Sequence, residues 1–341
     1  MGHRGAAHAQ LAHAGLAASV PRRVVWWWIA GAVALVVLVL GPTILSGYWV
    51  RVLTGVFMMT VVTASINLMV GFAGYPAFGN VVFFGVGAYV AGIMATVVGA
   101  SPVVAIPVAA LVAAIYALIL GYPILRLKGG YFAIATLGIN EATRLVVTNL
   151  GITGGGRGMT MPIVDLAPTV IYGAVYYYML AIMVATVATI GILANRPFGF
   201  ALRALRDEEE AAKVMGINTT WFKMLAWAIS AFFTALVGAG WAYWIAFFEP
   251  ASAFDVMIAV KGFLMMLLGG TGTVLGPVVG SFFVEILSEV IWGKFLNVHR
   301  LVLGVLIVII IVALPMGLPG LFQRRWRALP FAGGAKGKAR S

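Results

Sequence analysis

The sequence predicts an all-α fold: a polytopic transmembrane helical bundle of about ten spans, at least about eight, several of them interrupted by glycine. Three observations carry this prediction. The chain of 341 residues is 62% hydrophobic and only 9% charged, whereas soluble domains carry about 25% charged residues. Apolar runs of about 20 residues recur along it. Its 42 glycines fall repeatedly within or between those runs. A large soluble core is therefore excluded.

About ten segments are long and apolar enough, or nearly so, to cross a bilayer. They are 24–45, 50–70, 80–99, 103–122, 131–150, 171–194, 221–247, 257–270, 277–292 and 301–321. The fifth, eighth and ninth are the weakest. We expect a cytoplasmic tail over 1–23, a transmembrane domain over 24–321 with a cytoplasmic loop at 195–218, and a basic cytoplasmic tail over 322–341.

The distribution of basic residues predicts the orientation. When the N-terminus is placed in the cytoplasm and the spans alternate, most of the 22 Lys and Arg residues lie on the inside. Cytoplasmic loops carry such an excess, so both termini are expected inside. The net charge of +12 is explained in the same way and needs no nucleic acid partner. There is no cysteine, hence no disulfide framework and no thiolate metal site.

The long charged interruption of the chain, which we name the charged segment (residues 196–218), reads RPFGFALRALRDEEEAAKVMGIN. Pro197 suits the first turn of a helix and Gly216 suits its C-terminal cap. Between them, apolar residues recur at helical spacing: Leu202, Leu205, Ala212 and Met215. This pattern predicts an amphipathic helix at the membrane surface. A solvated helix lying on the lipid headgroups is the simpler interpretation.

Glu210-Ala211-Ala212, followed after three residues by Gly216-Ile217, resembles the EAA-type coupling motif of ABC importer permeases. The wider run from 196 to 243 resembles the corresponding region of branched-chain amino acid permeases. That resemblance implies a coupling helix docked on a separate ATPase subunit, where the alanines allow close approach and the glutamate meets basic groups. The residues implied in coupling are Arg203, Asp207, Glu208, Glu210, Ala211, Ala212 and Gly216.

Two glycine-rich runs, GFAGYPAFGNVVFFGVGAYVAG from residue 71 and LGGTGTVLGPVVGSFF from residue 268, each contain a proline, Pro76 or Pro277. Small residues let membrane helices pack closely, which is one interpretation. The other is that both runs break a span, since broken helices at corresponding positions mark a transport pathway.

Both runs also resemble motifs of the branched-chain permease family, with Ala77 where the family typically has Ser and Asn80 where it has His. These departures leave the substrate open. The segment 125–159 resembles the family's central motif, including the turn at 153–155. The resemblance spans about residues 50 to 322 and is closer to the second of the two paired permeases. Candidate pathway residues are Gly74, Ala77, Gly79, Asn80, Glu141, Arg144, Thr153, Gly154, Gly269, Gly270 and Gly272.

Glu141 and Arg144 are charged residues near the middle of the predicted fifth span. A charge at that depth is costly and normally faces protein or water. Their three-residue spacing lets them pair on one helix face. They are either a structural ion pair or a polar lining of the translocation path.

The predicted function is that of a transmembrane permease subunit of an ABC importer in the bacterial or archaeal plasma (inner) membrane, moving branched-chain amino acids or a related small polar solute. The resemblance implies two ATPase subunits, a homologous second permease and a periplasmic or lipid-anchored solute-binding protein as partners. No enzyme activity, catalytic residue, cofactor or metal site is expected, and no stretch satisfies the phosphate-loop pattern. The alternative is an ATP-independent secondary transporter or channel that uses Glu141 and Arg144.

Overall fold

The computed structural model describes residues 31, 33, 35–162 and 168–294. The predicted span at 301–321, much of the one at 24–45 and both predicted tails lie outside the described residues. The chain divides into two compact units, residues 1–50 and 51–341. In the first unit, helix α1 (Gly41–Ile44) precedes the start of α2 (Gly47–Asn67).

The second unit is built mainly of helices. After α2 come a π-helical turn (Leu68–Phe72), a 3-10 turn (Phe78–Asn80), α3 (Val81–Thr96), α4 (Pro102–Ile124), α5 (Gly130–Asn149), two 3-10 turns (Gly151–Thr153, Gly155–Arg157), β1 (Met159–Thr160) and α6 (Pro168–Ala194). Next are α7 (Pro197–Asp207), α8 (Glu209–Val214), α9 (Thr219–Ile245), β2 (Phe247–Phe248), α10 (Pro250–Ala253), α11 (Val256–Gly269) and α12 (Gly276–Lys294). The two short strands pair antiparallel, with Met159 opposite Phe248.

Six helical stretches within the described ranges are long and apolar enough to cross a membrane. They are Gly47–Phe72, Phe78–Thr96, Pro102–Ile124, Val170–Ala194, Thr219–Ile245 and Pro250–Gly269. They coincide with predicted spans and confirm the all-α membrane bundle, but the count of about ten is not confirmed. The predicted fifth and ninth spans are helical, as α5 and α12, yet are not among the six. In α5 the polar side chains of Asn140, Glu141 and Arg144 lower the apolar character of the helix.

Close packing of small residues holds α9 against α3 and α4. On α4, four fully buried alanines at four-residue spacing form one face: Ala105, Ala109, Ala113 and Ala117. Gly238 of α9 lies against the main chain of Phe84 in α3, and Gly87 of α3 lies against the main chain of Ala235, so a Cβ at either glycine would collide with backbone. Such contacts let membrane helices approach closely.

Two helix breaks in the described part of the chain fall at the glycine-rich runs: the first overlaps the run that starts at residue 71, and the second lies inside the run that starts at residue 268. The first break (residues 68–80) joins α2 to α3 through the π-helical and 3-10 turns, with Gly74 at φ +76°. The second break (residues 270–275) joins α11 to α12, with Gly270 at φ +107° and Gly272 at φ +71°. L-residues rarely adopt such φ values, so glycine is required at these turns. Both breaks join one helix to the next, so that interruption of individual spans by glycine stays a prediction.

The side-chain amide of Asn67, at the end of α2, joins the two breaks. Its Nδ2 donates to the carbonyl oxygen of Thr273 at 2.8 Å, and its Oδ1 accepts from the N–H of Gly272 at 2.8 Å. Asn67 is fully buried. Because one amide satisfies both backbone groups, the two breaks are held side by side at one end of the bundle.

Candidate functional site

The charged segment folds as two short helices, α7 and α8, and not as the single helix that its spacing predicts. Glu208 separates them with an extended conformation, φ −157° and ψ +105°. The break falls within four consecutive acids. Acidic residues are favoured at a helix N-terminus and disfavoured at a C-terminus, so a new helix beginning at Glu209 suits this run better than a continuous one.

Both predicted ends of the segment are confirmed. Pro197 lies in the first turn of α7. Gly216 follows α8 at φ +84°. Its N–H donates to the carbonyl of Lys213 at 2.9 Å, and the N–H of Ile217 donates to that of Ala212 at 3.1 Å. These two bonds form a Schellman cap, which requires a left-handed residue at position 216.

The predicted apolar stripe is correct for three residues and wrong for the fourth. Leu202, Leu205 and Ala212 are buried, but Met215 is 81% exposed. Val214 beside it is 87% exposed. The break at Glu208 changes the helical phase, so that the end of α8 turns two apolar side chains outward.

Glu209 turns inward and forms the centre of a buried network with Tyr75 and Lys223, which we name the Lys223 network. The Tyr75 hydroxyl donates to Glu209 Oε2 at 2.5 Å, and Lys223 Nζ donates to Oε1 at 2.8 Å. Lys223 Nζ also donates to the Tyr75 hydroxyl at 2.9 Å and to the carbonyl of Leu125 at 3.0 Å. Lys223 is only 4% exposed. The network thus joins α8, the first break, the end of α4 and the start of α9.

The network sets the charge state of Glu209. Burial alone would raise the pKa of its carboxyl, but the hydrogen bonds from Lys223 and Tyr75 and the positive charges of Lys223 and Lys213 outweigh it and lower the pKa to about 2. Burial and the adjacent carboxylate raise the pKa of the Tyr75 hydroxyl. Glu209 is therefore ionised and Tyr75 protonated at neutral pH.

Glu210, one residue further on, lies in solvent. It pairs with Lys128 at 2.7 Å and with Lys213 at 3.2 Å. Hydrogen bonds from these two lysines lower the pKa of the Glu210 carboxyl. Its partners in this chain come from the loop after α4 and from α8 itself, and all three side chains are more than one third exposed.

Arg206 and Arg203 anchor α7 to main-chain carbonyls. Arg206 Nη1 donates to the carbonyl of Gly71 in the first break at 2.5 Å. Its side chain fills the space beside Gly74, and its guanidinium lies against Gly272 of the second break. Arg203 Nη2 donates to the carbonyl of Ala194 at 3.0 Å. The charged segment therefore contacts both breaks directly.

The remaining residues predicted for coupling lie on the outer surface of the segment or in its core. Asp207, Glu208, Ala211 and Gly216 are exposed, whereas Ala212 is buried. The exposed residues, together with Val214 and Met215, lie at the end of the segment. We name residues 207–216, without the inward-facing Glu209 and the buried Ala212, the exposed edge.

Three of the four predicted pathway residues of the first run, Ala77, Gly79 and Asn80, are buried inside the bundle, whereas Gly74 is exposed. Asn80 accepts from Ser230 Oγ at 3.0 Å and donates to Thr234 Oγ1 at 3.2 Å, both on α9. The N–H of Gly79 donates to Thr136 Oγ1 at 3.2 Å. Ala77 is also fully buried. These residues link the first break to α5 and α9.

Other predicted pathway residues lie elsewhere. Gly269 lies against the main chain of Gly276, next to the second break. Thr153 Oγ1 donates to the carbonyl of Val147 at 2.6 Å, at the end of α5, and Gly154 follows at φ +75°. Gly74, Gly270 and Gly272 lie in the breaks described above. The structure therefore gathers the residues of both breaks and separates them from the turn at 153–154.

Glu141 and Arg144 form an ion pair on α5. Their side chains are 52% and 30% exposed. The buried face of α5 consists instead of residues such as Phe132, Thr136, Asn140 and Thr143. The charged pair thus lies on the outer surface of the chain, away from the breaks.

Three residues of the site were not predicted as such: Tyr75, Glu209 and Lys223. Lys223 is a basic residue in the first turns of an apolar span. The run of acids at 207–210 precedes it by a number of residues that corresponds to about four helical turns. A buried lysine requires a counter-charge, which is the one sequence signal that could have pointed to Glu209.

Comparison with known proteins finds one matching family model and several related proteins. The family model described as "Branched-chain amino acid transport system / permease component" matches residues 48–312. The chain is 28% identical over 315 residues to the high-affinity branched-chain amino acid transport system permease protein LivM of Salmonella typhimurium, which covers 83% of this chain and 73% of that protein. It is 27% identical over 277 residues to the probable branched-chain amino acid transport permease protein LivM of Methanocaldococcus jannaschii, covering 70% and 79%.

A more distant similarity, 29% identity over 156 residues, relates the chain to the autoinducer 2 import system permease protein LsrC of Photorhabdus laumondii and covers 40% of this chain and 46% of that protein. No solved structure gives a significant match.

Proposed function

The chain belongs to the family of branched-chain amino acid transport system permease components, and we propose that it is the transmembrane permease subunit of an ABC importer. It moves branched-chain amino acids or a related small polar solute inward across the plasma membrane, with both termini in the cytoplasm. The family is one of transport permeases and not of enzymes. ATP is hydrolysed by two separate ATPase subunits, and solute arrives on a solute-binding protein.

The observation that carries the proposal is the exposed edge of the charged segment. Val214 and Met215 are more than 80% exposed although both are large and apolar. They come shortly after the acids and Ala211, separated from them by Ala212 and Lys213. Apolar side chains rimmed by charges are typical of a protein–protein contact. Because the opposite side of the same segment contacts both helix breaks, a partner bound at this edge can act on the membrane helices.

The two breaks support a translocation path at this end of the bundle. Broken membrane helices expose main-chain groups that can contact a polar solute. The candidate lining residues are Gly74, Ala77, Gly79, Asn80, Gly269, Gly270 and Gly272, with Thr153 and Gly154 at the opposite end of α5. The closed packing of Gly79 and Gly269 suits the state of the path in which it is shut.

The exposed ion pair of Glu141 and Arg144 supports an arrangement with a second, homologous permease. Charged side chains at the depth of a bilayer face protein or water and not lipid. We propose that this face of α5 meets the second permease and contributes to the path between them. Since the two charges neutralise each other, a free proton-accepting group as needed by a secondary transporter is not offered by this pair.

The test is co-expression of the chain with its ATPase, permease and binding-protein partners, using the variant Val214→Glu/Met215→Glu. We expect the ATPase subunits to be lost on purification and ATP-dependent uptake to fall to background. Thr220→Glu is the control, because it places one such negative charge on an exposed side chain just beyond the segment and should leave both measurements unchanged. Normal ATPase association and uptake in the double variant would refute the docking edge, and uptake without any ATPase subunit would favour a secondary transporter.

A further inference from the structure

Helix α8 is too short and too poorly buried to hold its own position. It has six residues, and the one that is buried is Ala212. A helix of this length is unstable in isolation, because nucleation costs more than so few hydrogen bonds return. Its place in the structure must therefore come from side-chain contacts, and the polar contacts that are shielded from water are those of Glu209.

Lys223 makes Glu209 part of a junction between four regions of the chain. Its ammonium group has three hydrogens, and all three are used, by Glu209 of α8, by Tyr75 of the first break and by the carbonyl of Leu125 at the end of α4. The side chains of Lys223 and Glu209 are 5% and 11% exposed. Away from water such bonds are strong and directional, and a fully satisfied network makes its members move as one body.

The junction lies between the exposed edge and the helices that it would have to move. On one side, Val214 ends the short helix that begins at Glu209, and Met215 is its C-cap. On the other, Tyr75 lies between Gly74 and Pro76, within the non-helical part of the first break. The ring of Tyr75 packs edge-on against Phe132 of α5, with ring centroids 5.2 Å apart. A displacement of α8 therefore reaches both the first break and α5 through the same side chain.

We propose that the Lys223 network transmits the displacement of α8 to the first break, so that Glu209, Lys223 and Tyr75 are positioning residues for transport. The inference rests on the proposed function, because it takes the displacement to be imposed by ATPase subunits bound at the exposed edge. In this proposal they act through the helices that they join and not by contact with solute or ATP. Their removal uncouples ATP hydrolysis from solute movement without preventing either partner from binding.

A purely structural role predicts a different result. If the network only stabilises the fold, a variant that removes both charges together and keeps side-chain size should fold and transport normally. Glu209→Gln/Lys223→Met is such a variant, since it leaves no buried charge without a partner. Lys261→Met/Glu285→Gln makes the same replacements at another ion pair of the chain, which joins α11 and α12 at 3.1 Å, and serves as the matched control.

The experiment uses the complete complex in liposomes, with binding protein and radiolabelled leucine, isoleucine or valine as the probe. ATP hydrolysed and solute accumulated are measured together. We expect the network variant to retain the ATPase subunits and their hydrolysis, while solute moved per ATP falls roughly tenfold, a typical size for coupling between sites. The control variant should keep the wild-type ratio. Tyr75→Phe, which removes a single hydroxyl, should lower the ratio less and serves as the deciding variant if the double variant fails to fold.

Three results would overturn the inference: a wild-type ratio in both network variants, the same fall in the control variant, or loss of the ATPase subunits from the network variants, which would mean that the network only holds the docking edge in place. Failure of the proposed function is recognised separately, because the wild-type chain itself would then bind no ATPase subunit.

Discussion

The two helices of the charged segment are held to the bundle by different forces. Helix α7 buries Phe198, Leu202 and Leu205. Its two arginines, Arg203 and Arg206, donate hydrogen bonds to main-chain carbonyls. Helix α8 buries Ala212 and otherwise relies on the ion pairs of Glu209 and Glu210 with lysines.

Because of this difference, we expect α7 to stay fixed on the bundle and α8 to be the helix that can be displaced. Apolar burial and bonds to carbonyls do not titrate, so α7 keeps its place over a wide range of pH and salt. Ion pairs depend on the charge of both partners. Helix α8, which ends at the exposed Val214 and is capped by the exposed Met215, is thus the one whose attachment is most easily changed. A segment with a fixed half and a movable half suits a part that receives force at one end and passes it to membrane helices at the other.

The largest effect on stability is expected when the apolar contacts of α7 are removed. Leu202 is fully buried, and Leu202→Ala should lower the free energy of unfolding in detergent micelles by about 2–5 kcal/mol, through lost burial and the cavity left behind. Val214→Ala removes two methyl groups from an exposed side chain of α8 and should change the unfolding free energy by less than about 0.5 kcal/mol. Denaturant titration of both variants measures the two values. Equal losses would show that α7 is not held by its apolar face.

A smaller effect is expected on α8 when the pH is lowered. The folded pKa of Glu209, about 2, lies below its ordinary value of 4.5. Its stabilising contribution is therefore complete above pH 4.5 and is lost as the pH falls toward 2. Between pH 6 and pH 3, amide hydrogen exchange corrected for intrinsic rate should accelerate over 209–214 and remain unchanged over 197–207.

Two further observations sharpen this measurement. In Glu209→Gln the acceleration should already be present at pH 6 and should not increase at pH 3. Equal acceleration in α7 and α8 would contradict the division of the segment into an apolar and an ionic half.

Much of this segment could be predicted from the sequence, because its signals are local. Pro197 and Gly216 specify the ends of the helical stretch by their own backbone preferences. The glycines at 74, 270 and 272 likewise mark turns that need positive φ. Apolar runs of sufficient length identify the spans whatever their partners are.

The rest could not be predicted because it depends on residues far apart in the chain. Tyr75 and Glu209 are 134 positions apart, and Lys223 and Leu125 are 98 apart. No spacing rule relates such pairs. The phase of Met215 was predicted wrongly for a related reason: Glu208 leaves the helix so that Glu209 can reach Lys223. A long-range ion pair thus overrides a local periodicity.

The smallest effect is expected at Glu210, the exposed neighbour of Glu209. Glu210 bonds Lys128 at 2.7 Å, as closely as Glu209 bonds Lys223 at 2.8 Å, and it bonds Lys213 at 3.2 Å. Yet Glu210, Lys128 and Lys213 all lie in solvent, where water and salt compete for each charge. The purified Glu210→Gln chain should have the same unfolding midpoint as the wild type within experimental error, at low and at high salt. A clear destabilisation, or one that disappears in 1 M salt, would mean that α8 is held by its outer as well as its inner carboxylate. Distance alone therefore does not rank the two ion pairs. Their burial does, because only Glu209 exchanges water for a fixed set of protein donors.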